Sequence, residues 1–209
     1  MAFKRNGYGQ VEPNQLSAQK TGQIYASLPL ASDVDILQNG EFMYYDYKSG
    51  TVTANGVGEP MLVFNEVKLY EPFWQTSYKD FAMIRVGDNY VTSRLATAGY
   101  GDGAETKGVT PNPGHSDWQA GYRMDGIAPR LFKTNVGDIF TTNMVETGNE
   151  ITYSQGDTLK LKKINKAADK TGNTLVLSKT GDIDALEFVV AKVYTMPDGQ
   201  PGLKLQRIK

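Results

Sequence analysis

Few residues in this chain are of types that make or break bonds. The only imidazole is His115, in Pro113-Gly114-His115-Ser116-Asp117. Ser, His and Asp can assemble a nucleophilic triad, but triad members converge from separate elements rather than from adjacent loop positions. A solvated loop histidine is the expected state. Paired carboxylates can support glycoside hydrolysis. Asp33 and Asp35 share one side of an extended segment, and Asp102 and Glu105 lie in the same loop as His115. Ordinary surface and turn acids account for both pairs.

Metals and phosphates fare no better. Asp102, Asp117 and Asp125 are hard oxygen donors, yet no loop has the ligand spacing of a helix–loop–helix calcium site. With no cysteine and one histidine, a zinc or redox-metal centre is not expected. Gly99-Tyr100-Gly101-Asp102-Gly103 lacks the following helix and the Lys-Ser/Thr ending of a phosphate loop. Lys160, Lys162, Lys163, Lys166 and Lys170 form a basic strip, and strand alternation puts Lys160 and Lys162 on one face. That face suits phosphates or an acidic partner, but a solvated, aggregation-resistant surface is the simpler reading. The expectation is a chain without catalytic residues, cofactor or metal.

Aromatic residues are the more informative set. Tyr44, Tyr45, Tyr47, Tyr70, Phe73, Trp74 and Tyr78 crowd one stretch. A strand such as Glu41–Tyr47 cannot bury both of its faces in a small barrel, so some rings are expected at a partner interface. Base stacking is a further use of such rings. Against it, 22 basic residues face 23 acidic ones, so net charge draws the chain to neither nucleic acid nor anionic membrane. No apolar run is long enough to span a bilayer, and the first ten residues do not read as a signal peptide. The absence of cysteine fits synthesis in a reducing cytoplasm. Stability then rests on packing, strand pairing and assembly.

The elements that would carry these residues are strands. With 209 residues, 40% hydrophobic content, 22 Gly and 9 Pro, the chain has enough for a core and many turns. Residues 1–27 lack hydrophobic periodicity and cannot fold alone. They read either as a frayed terminus or as an extended arm that orders on a neighbouring protein, with Phe3, Tyr8, Leu16, Ile24 and Tyr25 as anchors. From residue 28 to 97 turn signals recur at the spacing of a small barrel or sandwich, with strands at Glu41–Tyr47, Thr51–Thr53, Pro60–Phe64 and Asp80–Val86. Residues 98–130 are punctuated by Gly and Pro and read as a linker or a long functional loop; the linker, pinned to a surface by Trp118, Tyr122 and Met124, is the favoured reading. Strands resume at Ile139–Met144, Thr158–Lys162, Thr174–Ser178, Leu186–Thr195 and Leu203–Ile208. Leu203 and Leu205 alternate with polar residues, and the parity of Ile208 points to a bulge near Arg207. The only weak helix signal is Ile164–Asp169.

One phrase is used twice. Gly87-Asp88-Asn89-Tyr90-Val91-Thr92 and Gly137-Asp138-Ile139-Phe140-Thr141-Thr142 share Gly-Asp, then an aromatic and a Thr at matching offsets. Gly accepts positive φ and Asp bonds nearby amides, so each copy reads as a turn leading into a strand. The expected fold is all-β: two small barrel-like domains, 28–97 and 131–209, joined by a Gly/Pro-rich linker and preceded by the arm.

Asn39-Gly40-Glu41-Phe42, the hairpin after it, and the ending from Phe188-Val189-Val190-Ala191 through Met196-Pro197-Asp198-Gly199-Gln200-Pro201-Gly202 to Ile208 resemble capsid decoration, or cement, proteins of tailed bacteriophages. The resemblance implies a non-enzymatic virion protein on the outer surface of the capsid. Its implied partners are the major capsid protein and neighbouring copies of itself, with no nucleic acid or membrane. The contact residues expected are the arm anchors together with Tyr45, Tyr47, Phe73 and Trp74. A head fibre, neck or tail component, or a carbohydrate-binding β module, are the alternatives.

Overall fold

A computed structural model describes residues 3, 9–31, 33–34, 36–65, 82–85, 90–92, 128–166, 172–197 and 199–209. In chain order the elements are β1 (Val11–Gln15), α1 (Ser17–Thr21), β2 (Ile24–Tyr25), β3 (Ile36–Gln38), β4 (Phe42–Asp46), β5 (Thr51–Thr53) and β6 (Met61–Val63). They continue with β7 (Ala82–Arg85), β8 (Tyr90–Thr92), β9 (Leu131–Phe132), β10 (Ile139–Thr142), β11 (Thr158–Lys166), β12 (Gly172–Ser178), β13 (Ile183–Thr195) and β14 (Pro201–Arg207). The protein is mostly β, as its β-branched and aromatic runs dictate. An 11-stranded antiparallel sheet curls into a half-barrel in the order β1-β10-β14-β13-β11-β12-β4-β6-β9-β2, with β5 added to β4. A second sheet has the order β3-β7-β8.

The strands of the two expected barrels share the large sheet. Leu175 of β12 pairs with Phe42 of β4, so the described residues do not divide into barrels at 97 and 131. The core explains why. Phe42 reaches across to Phe140 and Phe188, with ring centroids 6.2 and 5.6 Å away, and those two rings are themselves 5.6 Å apart. All three are fully buried, and one aromatic nucleus therefore serves both halves. Residues 98–127, most of the expected linker, lie outside the described residues. The end of that segment is tied down, with the Arg130 N–H donating to Asn65 Oδ1 at 2.8 Å.

Residues 9–25 are likewise not an arm standing away from the body. β1 pairs with β10 (Val11 opposite Thr142), and β2 pairs with β9. Low apolar content does not prevent this, because a sheet edge satisfies backbone amides whatever the side chains. Polar side chains of the body complete the attachment. Gln38 Oε1 accepts from the Gly9 N–H at 2.7 Å, Asn143 Oδ1 from the Gln10 N–H at 2.7 Å, and the Thr141 hydroxyl donates to Asn14 at 2.7 Å.

Asp138 holds the next turn. Its carboxylate accepts from the Ser17 N–H at 3.1 Å, the Ser17 hydroxyl at 2.9 Å and the Asn135 N–H at 2.8 Å. Gly137 before it has φ +94°, the left-handed conformation the Gly-Asp phrase requires. In the first copy of the phrase only the strand is described, as β8; in the second both turn and strand are.

Three local expectations change. Over Ile164–Lys166 the helical signal is overridden by β11, the rest of it lying outside the described residues, while the short α1 carries no such signal. No bulge interrupts β14 at Arg207; the register shift is on β13, between Val190 and Lys192. Alternation continues unbroken, and Arg207 takes the inward place after Leu203 and Leu205 while Ile208 turns out to solvent. Burying a guanidinium there is tolerable because Nη1 donates to Glu59 Oε1 at 2.5 Å and to the Thr134 carbonyl, and Nε to the Lys209 carbonyl at 2.7 Å.

Candidate functional site

Strand register places Tyr25, Leu131, Val63, Met61, Met43, Tyr45 and Val52 on one face of the β4-β6-β9-β2 region, with β5 completing it. Met43, Val52, Val63 and Leu131 are fully buried there. The tyrosines form the rim of this second apolar layer. The Tyr25 and Tyr45 rings lie 5.3 Å apart, and the Tyr45 and Tyr47 rings 5.1 Å apart at 73°. The Tyr45 hydroxyl accepts from the Ser27 N–H at 3.1 Å, fixing the middle ring. Exposure increases outward: Tyr25 and Tyr45 are half-buried, whereas Tyr47 is 75% exposed.

The hairpin holds Tyr47 in place. Asp46, at the end of β4, accepts from the Lys48 N–H at 2.9 Å, the Ser49 N–H at 3.3 Å and the Ser49 hydroxyl at 2.7 Å. The Ser49 hydroxyl bond, followed by the Lys48 amide bond, keeps the Asp46 carboxyl below its ordinary range. Gly50, with φ +68°, lets the chain return into β5. A half-supported aromatic ladder ending in an exposed ring is suited to stacking on, and being covered by, another surface.

Of the anticipated contact residues, the structure brings together Tyr25, Tyr45 and Tyr47. Ile24 is half-buried against the core, on the opposite face of β2 from Tyr25. Phe3 and Leu16 are 6% and 2% exposed, and Phe3 packs edge-on against Tyr153 at 5.5 Å. These two are spent on the protein's own core and do not present to a partner. Tyr8, Phe73 and Trp74 lie outside the described residues, as do His115, Asp35, Asp102, Glu105, Asp117 and Asp125.

Two lysines of the basic strip are paired with acids and a third is hydrogen-bonded; Lys170 and the side chain of Lys166 lie outside the described residues. Lys160 Nζ pairs with Asp184 at 2.6 Å and Lys162 Nζ with Glu146 at 2.5 Å, while Lys163 donates to the Asn55 side-chain carbonyl. Glu146 is the centre of a group that distant sequence positions do not advertise. Ser178 Oγ donates to its Oε2, and the Thr180 hydroxyl lies 3.2 Å from the same oxygen and 3.1 Å from Lys162 Nζ. Burial pushes the Glu146 carboxyl up, but bonds from Lys162 and Ser178 outweigh it, and the net shift is downward. The Glu146 carboxylate is therefore engaged by three neighbouring side chains. Asp33 is also occupied, accepting from Asn55 Nδ2 at 2.9 Å and Asn173 Nδ2 at 3.1 Å.

A cleft of about 330 Å³ opens beside α1, lined by Asn14, Gln15, Ser17, Lys20 and Asp138 among others. Its one acid is the Asp138 carboxylate already engaged by three donors. Among the described residues no group of His, Cys, Asp or Glu is arranged to hold a metal ion, and no helix is long and apolar enough to cross a membrane. Comparison with protein-family models, curated proteins and solved structures finds no match. The tyrosine rim is thus the surface on which a functional reading rests.

Proposed function

We propose that this chain is a non-enzymatic virion structural protein that binds and stabilises the outer surface of a tailed-phage capsid. The observation that carries the reading is the Tyr25–Tyr45–Tyr47 ladder, ordered from half-buried to 75% exposed and braced by the Asp46 turn. The resemblance of Phe188–Ile208 and of Asn39–Phe42 to decoration proteins supplies the partner: the major capsid protein, with neighbouring copies of the chain beside it. A preformed ladder loses little side-chain freedom on docking, which favours binding by a small surface. Each contact is modest. Repetition over a shell, and linkage of several contacts within one chain, raises occupancy beyond any single affinity.

The same exposed ring is also the platform a carbohydrate-binding module would use, because a sugar face stacks on tyrosine. One experiment separates the readings. Purified protein is mixed with assembled capsid shells, with unassembled capsid subunits and with a glycan array. Co-sedimentation with shells alone, at many copies per particle, is the expected result. Confinement of labelled protein to one vertex or the tail would favour a fibre, neck or tail role, and glycan binding without shell binding would overturn the capsid reading. Deleting residues 1–27 is not a clean test, because it removes β1, α1 and β2 from the fold.

A further inference from the structure

The chain holds three Asn-Gly steps, at Asn6, Asn39 and Asn55. At such a step the glycine amide nitrogen can attack the preceding side-chain carbonyl, because no Cβ hinders its approach. The first step lies outside the described residues. The structure sets the other two apart in burial and in the bonding of the glycine amide.

Asn39 is 6% exposed, and its side chain is held at both ends: Oδ1 accepts from the Asn65 N–H at 2.7 Å, and Nδ2 donates to the Asn65 carbonyl at 3.3 Å. The would-be nucleophile, the Gly40 amide, donates to the Val63 carbonyl at 2.9 Å. Attack there requires the junction of β4 and β6 to open first. Asn55 is exposed, on the bend after β5, and the Gly56 amide makes no hydrogen bond among the described residues. Its side chain is held by charged groups. Lys163 Nζ donates to Oδ1, the atom on which negative charge gathers when the carbonyl is attacked. Asp33 Oδ2 accepts from Nδ2 at 2.9 Å, the nitrogen that departs.

We propose that Asn55–Gly56 is a site of spontaneous covalent modification, converting Asn55 to aspartate or isoaspartate. The Gly56 nitrogen bonds to Asn55 Cγ and loses its proton to solvent; Nδ2 takes a proton from solvent, its bond to Cγ breaks and ammonia leaves. Water then opens the resulting succinimide at either carbonyl. The product changes the local charges. A carboxylate at position 55 has no N–H to give, so Asp33 loses that donor and faces a like charge, while Lys163 gains an ion-pair partner. The 54–60 loop is thereby released from Asp33 and stays attached at Lys163 and, through Glu59, at Arg207.

The test is an intact-mass and peptide-map time course of the full chain in mildly alkaline buffer. Asn39 and Asn55 fall in different tryptic peptides, because Lys48 lies between them. The expected result is a gain of about 1 Da confined to the Asn55 peptide, accumulating at least about tenfold faster than at Asn39 in the folded protein. In urea the two rates converge. Lys163→Gln slows the Asn55 reaction in folded protein and leaves the rate in urea unchanged. Equal folded-state rates at Asn39 and Asn55, or an unmodified Asn55 when Asn39 has reacted, would overturn the proposal. So would a stable loss of about 17 Da with a branched peptide joining Asn55 to Lys163, which would make the lysine amine the nucleophile.

Discussion

Replacing Tyr47 with alanine separates adhesion from folding, because the ring contributes little to the isolated protein. A tyrosine side chain offers on the order of 200 Å² of surface, of which a partner could newly cover roughly 150 Å², since Tyr47 is 75% exposed. At about 25 cal/mol per Å² the ceiling is roughly 4 kcal/mol. The hydroxyl and the ordering of partner groups lower this to about 1–3 kcal/mol. Per contact, that is a loss of about 5- to 150-fold in Kd. Unfolding free energy should move by no more than about 0.5 kcal/mol, as for most exposed positions. The assay is co-sedimentation of wild type, Tyr47→Ala and Tyr47→Phe with purified shells, beside urea melts of each. The Phe variant keeps the ring and should retain most binding. If Tyr47→Ala occupies shells as fully as wild type at sub-saturating concentration, the tyrosine rim is not the contact.

Leu16→Ala should destabilise the protein by about 2–4 kcal/mol in urea melts, since Leu16 is 2% exposed and locks β1 and α1 to the body; a free arm would show almost no change. Gly40→Ala should cost about 3 kcal/mol or more, because φ is +92° and a Cβ would stand 2.2 Å from Thr142 Oγ1. Acid should weaken the fold through Glu146. Its folded pKa lies below the unfolded one, so the stabilisation is present above the ordinary glutamate range and is lost as pH falls through the folded value. Glu146→Gln should start less stable at neutrality and lose less on acidification, read as urea midpoints across a pH series.

The β character and most strand positions follow from local pattern. The Phe42–Asp46/Thr51–Thr53 hairpin and the Pro201–Arg207 strand lie close to where alternation and turn residues put them. Strand partners do not follow from local pattern. The pairing of Leu175 with Phe42, and of Val11 with Thr142, depends on which edges remain open after nearer strands have paired. A Gly/Pro-rich stretch therefore looks like a domain boundary although one sheet runs across it. At the rim, aromatic content marked Tyr25, Tyr45 and Tyr47, but only register shows that they share a face. Phe3 and Leu16 carry the same apolar signal and are consumed internally, a difference no composition reveals. Arg207 shows the converse: the parity of Ile208 pointed to a bulge there, whereas alternation runs on and an arginine takes the buried place.

The pairing of β1 with β10 also constrains synthesis. Val11 leaves the ribosome long before its partner Thr142. β10 in turn needs Leu203–Gln206, which emerge later still. Vectorial folding can therefore settle local hairpins but not the edge that receives the first strand. A product terminated before β14 would leave Leu16 and the three clustered phenylalanines uncovered, open to proteases and to aggregation. Only chains extended through β14 would carry Tyr47 on a rigid body, a quality check built into the order of the strands.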